Sequence, residues 1–171
     1  MILPATAFGQ AMVLKDKGFV MTTLKAPWFM TIAAEGFNIT QEKLSPDGTR
    51  GYFLMQDEKT HLIASVFIEP ADKCKTSKEC RDMVLNAGNP GWIDPINKVS
   101  SEIGNVSYFE FLIPLFREQP LKQQNMYAEF VENGYWVDLH ISKVLYKKED
   151  RVLFENMVKS VKFDAKPNLK Q

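Results

Sequence analysis

Apolar and polar positions alternate with a period of two along most of this chain, and twice the period lengthens to that of a helix. Phe19–Thr23 is a short β-branched run, and Trp28–Ala33 is another that follows Pro27. Asn38–Lys43 and Tyr52–Gln56 flank Ser45-Pro46-Asp47-Gly48, a turn sequence, and so predict a hairpin. His61–Glu69 places Leu62, Ala64, Val66 and Ile68 on one face and Ile63, Ser65, Phe67 and Glu69 on the other. Both faces are largely apolar, which predicts a central strand covered on both sides. The period then changes. Thr76-Ser77-Lys78-Glu79 fits a capping box; Cys80, Met83, Val84 and Ala87 follow at helical spacing, and Gly88 ends the segment. Strands resume at Lys98–Ile103 and Ser107–Phe116. Gln124–Glu132 and Tyr135–Leu145 flank Asn133-Gly134, the strongest hairpin signal in the chain, of type I′. Leu153, Phe154, Met157, Val158 and Val161 form the stripe of a last helix, with Glu149 and Asp150 at its positive end. Phe163 then adds a short closing strand or plugs the core.

Strands, a helix, more strands and a C-terminal helix, with hairpins throughout, predict an α+β fold built on an antiparallel β-sheet flanked by helices. No repeat, low-complexity stretch or linker divides the chain. Residues 9–164 read as one domain, 1–8 as an N-terminal arm or the remnant of a signal, and 165–171 as a polar tail.

Three local patterns resemble the PsbP-like family, which shares its fold with the small Ran-binding Mog protein. They are Trp28-Phe29-Met30-Thr31-Ile32-Ala33-Ala34-Glu35-Gly36-Phe37, Ser65-Val66-Phe67-Ile68-Glu69, and Asn133-Gly134-Tyr135 through Ser142 followed by Ser160-Val161-Lys162-Phe163. The resemblance covers most of the chain in the order of its elements. It implies an antiparallel sheet sandwiched by helices, an α/β/α arrangement, and a non-catalytic role as an accessory or docking subunit. Asn86–Asp94 and the Cys74–Cys80 segment are not hallmarks of that family.

Equal numbers of basic and acidic residues, 21 of each, argue against nucleic acid and against a polybasic membrane surface as partners. No apolar run is long enough to span a bilayer as a helix. Met1–Met12 is uncharged, and Ala5-Thr6-Ala7 has the form of a signal cleavage site. The segment reads either as a first strand or as the end of a secretory signal. Cys74 and Cys80 lie in CKTSKEC. A local disulfide is favoured over two reduced thiols, and the spacing is not that of a C-x-x-C redox motif. A bridge suits an exported protein, periplasmic or extracellular. No metal is expected, because no second ligand pair accompanies these thiols and His61 and His140 fall in strand-like segments. No cofactor motif is present.

Asp138, His140 and Ser142 share one strand face. Neighbours two apart on a strand sit about 7 Å from each other, too far for a triad hydrogen bond, so an enzyme using His140 ranks last. Tyr108, Phe109, Phe111 and Phe116 gather on one strand. They motivate an alternative function, a small apolar ligand held in a pocket between sheet and helices. The favoured function is a non-catalytic accessory or docking subunit of a larger extracytoplasmic or membrane-associated assembly, with a protein partner. Trp92, with Ile93 and Asp94 beside it in a Pro/Gly loop, is the candidate contact, since loops carry function and Trp anchors interfaces.

Overall fold

A computed structural model describes residues 11–15, 17–88 and 94–167. Its strands form two antiparallel sheets. The smaller has four strands in the order β1-β2-β3-β11, built from β1 (Met12–Lys15), β2 (Gly18–Met21), β3 (Trp28–Ala33) and β11 (Lys162–Ala165). The larger has seven in the order β4-β5-β6-β10-β9-β8-β7. Its members are β4 (Asn38–Leu44), β5 (Gly51–Asp57), β6 (Leu62–Pro70), β7 (Ile96–Ile103), β8 (Val106–Phe116), β9 (Gln119–Glu132) and β10 (Tyr135–Lys143). Two helices complete the fold, α1 (Ser77–Asn86) and α2 (Arg151–Ser160), the latter entered through a 3-10 turn at Lys148–Asp150.

One face of the large sheet is closed by the small sheet together with α2. Met12, Phe19, Met21, Trp28, Met30 and Ile32 of the small sheet bury against Phe53, Met55, Val66, Ile68, Leu139 and Ile141 of the large one. Phe154, Met157 and Val158 of α2 join the same core. Trp28 is the chief rivet. It is 1% exposed, donates from Nε1 to the Glu132 carbonyl at 3.1 Å, and meets Tyr135 and Phe163 edge-on. Arg151 in the first turn of α2 pairs with the Glu110 carboxylate and donates to the Tyr108 hydroxyl at 2.8 Å, fixing that helix on β8.

The helix-flanked sandwich expected from the sequence is thus corrected on this side: a second sheet does most of the covering. A helix of 10 residues is only about 15 Å long. A seven-stranded sheet is roughly 29 Å wide at 4.8 Å per strand. One such helix leaves most of the face bare, and β1–β3 with β11 fill it. The opposite face carries α1, laid over β8 and β9. That cover is incomplete, so the expectation for β6 is also corrected. The strand is central, but Ile63 on its second face is 41% exposed.

The turns explain the remaining register. Asn133 (φ 46°) and Gly134 (φ 78°) both take positive φ, as a type I′ turn requires, and pair Tyr135 with Glu132. The β8–β9 turn does the same with Arg117 (φ 48°) and Glu118 (φ 66°), residues that give no turn signal. For that reason β9 begins at Gln119, earlier than the alternation suggested. Gly18 is required for a different reason: a Cβ there would sit 2.1 Å from the Ile32 carbonyl oxygen on β3.

Candidate functional site

The site lies on the face of the large sheet that α1 partly covers. Thr76 caps α1, its Oγ1 accepting the Glu79 N–H at 3.2 Å. Glu79 reaches back to the Lys75 N–H at 2.7 Å, one residue beyond the cap itself. Ser77 ties the helix to the sheet, accepting the Ser107 N–H and donating to the Glu129 carbonyl, each at 2.6 Å. Cys74 and Cys80 are disulfide-bonded, with 5.1 Å between their Cα atoms. The bridge clamps the entry to the helix, and both cysteines pack with Ala71, just past β6, and with Trp136 of the sheet.

The tight Asn133-Gly134 hairpin sets which side chains meet on this face. It places Asp138 opposite Glu129, His140 opposite Tyr127, and Ser142 opposite Asn125. Two carboxyl groups are therefore adjacent in an interior. Trp136 Nε1 donates to Glu129 Oε2 at 2.6 Å. Glu129 Oε1 and Asp138 Oδ1 are enclosed and have no hydrogen-bond partner among the described residues. Burial pushes the Glu129 carboxyl well above the usual range, and the Asp138 charge adds to that against the Trp136 hydrogen bond. Burial likewise pushes Asp138 up to about 7. Like charges so placed favour keeping a proton on the pair.

Next to the pair runs a ladder of rings. Tyr127 stacks on Phe109 at 4.8 Å and on His140 at 4.1 Å, with interplanar angles of 1° and 7°. Phe111 stacks beside Phe109 at 6.2 Å. Burial lowers His140 to about 4, so the imidazole is neutral at physiological pH. Tyr127 is raised to about 12, first by burial and then by the charges of Asp138 and Glu129. His140 Nε2 lies 3.0 Å from Asn125 Oδ1, and Gln123 Nε2 donates to that same oxygen at 2.9 Å.

These rings form the floor of a cavity of about 560 Å³ beneath the second half of α1. Val84, Leu85, Ile113 and Leu121 make its apolar walls, with Lys98 the one charged residue on the lining among the described residues. Its size and its mix of apolar walls with few polar groups match ordinary small-molecule sites. His140 is engaged by Asn125, not by Asp138 or Ser142, so the three polar residues of β10 do not form a triad. Among the described residues no three His, Cys, Asp or Glu side chains gather as a metal site.

Of the residues singled out in the sequence, Cys74 and Cys80 are brought together at the edge of this site. Asp94 is exposed just ahead of β7, away from the acid pair, while Trp92 and Ile93 lie outside the described residues. The pairing of Glu129 with Asp138 and the Tyr127–His140 stack were not anticipated. The signal for both was present. A two-residue turn at Asn133-Gly134 dictates every partner of β9 and β10.

No protein-family model matches the chain, and no curated protein does. Among solved structures it is similar to the solution structure of cyanobacterial PsbP (CyanoP) from Synechocystis sp. PCC 6803. The TM-score is 0.52 at 13% sequence identity, and the match covers 96% of this chain and 99% of that one. The fold is therefore PsbP-like, as the three sequence patterns implied.

Proposed function

We propose that this protein is a non-catalytic accessory or docking subunit of a larger assembly, extracytoplasmic or associated with a membrane. The observation that carries this reading is a fold likeness that runs end to end along both chains, with no large insertion to house a separate activity. The Cys74–Cys80 bridge supports a place outside the reducing cytoplasm. No helix of the described residues is long and apolar enough to cross a membrane. Within this reading Trp92, Ile93 and Asp94 are the proposed contact residues.

The test is native electrophoresis and cross-linking mass spectrometry on gently solubilised membranes from cells that express the tagged protein at its natural level. Co-migration with a large complex, weakened by Trp92→Ala, is the expected outcome. Recovery solely as a free monomer under both methods refutes the reading.

The cavity favours a second reading, a carrier or sensor of a small apolar molecule. Native mass spectrometry of freshly isolated protein checks it. A bound mass that denaturation releases is expected, and consistently bare protein counts against it.

A further inference from the structure

The cavity floor distinguishes between kinds of ligand. Gln123, Asn125 and His140 are tied to one another, since both Gln123 Nε2 and His140 Nε2 point to Asn125 Oδ1. An amide oxygen only accepts, so the network assigns the imidazole proton to Nε2. The Tyr127 hydroxyl is different. Tyr127 lines the cavity, and its hydroxyl makes no hydrogen bond among the described residues. A phenol in that position offers a donor to whatever enters.

Charge narrows the class further. Among the described residues no carboxylate lines the cavity, and Lys98, the one cation they contribute, is exposed. Beside the floor, two residues along from Tyr127 and His140, lie Glu129 and Asp138, whose charges are felt at Tyr127 once they lose their protons. At about pH 8, above the value of about 7 at which Asp138 ionises, that charge opposes an anionic head group at this end of the floor, and the neutral imidazole supplies no counter-charge. The ring stack shapes the rest. Phe109, Tyr127 and His140 present their faces to one another, which leaves their edges for the cavity. Ring edges carry the positive end of the quadrupole and prefer the face of a π-system.

We propose that this cavity binds a neutral, flat, unsaturated small molecule that places a carbonyl-type acceptor on the Tyr127 hydroxyl. The proposal rests on the reading of the cavity as a ligand site.

Three naphthalene probes test it by fluorescence titration of the intact, disulfide-bonded protein. They are the neutral ketone 6-propionyl-2-(dimethylamino)naphthalene, its ketone-free parent 2-(dimethylamino)naphthalene, and the anion 2-naphthoate. The ketone should bind one to one with a blue-shifted emission, and naphthoate should bind more weakly. Tyr127→Phe keeps the ring stack and removes the donor. It should weaken the ketone by about three- to tenfold, the worth of one neutral hydrogen bond, and leave the parent unchanged. Infrared spectra of the bound ketone in the unmutated protein give a readout that does not depend on the variant folding. The carbonyl stretch should fall below its position in hexane. Equal ketone affinity in Tyr127→Phe, tighter binding of naphthoate, or an unshifted stretch overturns the assignment of ligand class while leaving a binding cavity. If none of the probes binds, the ligand-site reading falls with it.

Discussion

Asp138→Asn should make the protein more stable at about pH 8 and leave it nearly unchanged at about pH 4. Asn has the size of Asp and cannot ionise. In the folded protein the Asp138 carboxyl is held at about 7 by burial, against an ordinary value of 3.8. A carboxyl raised in this way is protonated in the folded state over a range where the unfolded chain has already lost its proton. The folded state binds more protons there, so stability is full below about pH 4 and declines as pH rises towards 7. Each factor of ten in proton affinity is worth about 1.4 kcal/mol, so the gap from 3.8 to about 7 amounts to about 4 kcal/mol, an upper figure for a residue whose Oδ1 alone is sealed. Glu129 moves in the same direction, because the Asp138 charge is one cause of its raised carboxyl. His140 opposes both. Its value of about 4 means that it favours the folded state above the ordinary 6.5 and loses that contribution as pH falls. The pH curve of the unmutated protein therefore mixes two signs, and the difference between variant and parent removes the His140 part and reports Asp138 together with its coupling to Glu129. Urea unfolding followed by tryptophan fluorescence, at intervals from about pH 4 to about pH 8 with slopes checked for two-state behaviour, measures it. A difference that stays within about 0.5 kcal/mol across that range, far below the predicted span, would show that Asp138 titrates as a solvated carboxyl.

Three further outcomes follow from the fold. Cys74→Ala with Cys80→Ala should cost about 2 kcal/mol by the loop-entropy relation for a separation of 6 residues, without abolishing folding, and two thiols that titrate in unreduced native protein would contradict the bridge. Gly134→Val should destabilise by about 1–3 kcal/mol, because a β-branched residue resists the φ of 78° there, and an unchanged melting midpoint would contradict the turn. Gly18→Ala forces β2 away from β3, since its Cβ would meet the Ile32 carbonyl at 2.1 Å. A loss of at least about 1–3 kcal/mol is expected, and a neutral substitution would show that the strands are not so close.

The strands were legible where burial alternates and turns carry their own chemistry. Trp28–Ala33 coincides with β3, and the Asn133-Gly134 turn locates both of its strands. The capping residues of α1 were legible too, since Thr76 and Glu79 act locally. Division of the strands between two sheets was not. Met12–Lys15 alternates weakly, with only Met12 buried, and β11 finds its partner β3 far back in the chain. Neither fact leaves a mark within a short window of sequence. The site was hidden for a related reason. Glu129 sits between Ala128 and Phe130, where a carboxylate in an alternating strand reads as solvent-facing, and only α1 laid across β9 buries it. Tyr127 and His140 look unremarkable alone and become a stack only once the hairpin sets them opposite each other.

The two faces of the large sheet answer to different demands. On the face shared with the small sheet and α2 the interior is almost wholly apolar; the Glu110 carboxylate at its border is paired with Arg151. On the other face Glu129 and Asp138 are enclosed side by side, with one oxygen of each unpartnered and no cation paired to either among the described residues. Such an arrangement costs stability, and apolar residues of similar size would serve the fold better. A fold that handles a buried carboxylate correctly on one face does not need an unpaired couple on the other. The couple stands one cross-strand pair along from Tyr127, and its charge, when ionised, is felt there. Shifted titrations gather where binding or chemistry requires them, and the cavity supplies such a requirement here. The stabilisation expected for Asp138→Asn should therefore carry a consequence at the site. At about pH 8, where the parent's Asp138 has lost its proton, the variant has less negative charge beside Tyr127, and its discrimination against 2-naphthoate should shrink. A variant that gains stability but rejects the anion as strongly as its parent would separate the acid pair from ligand choice.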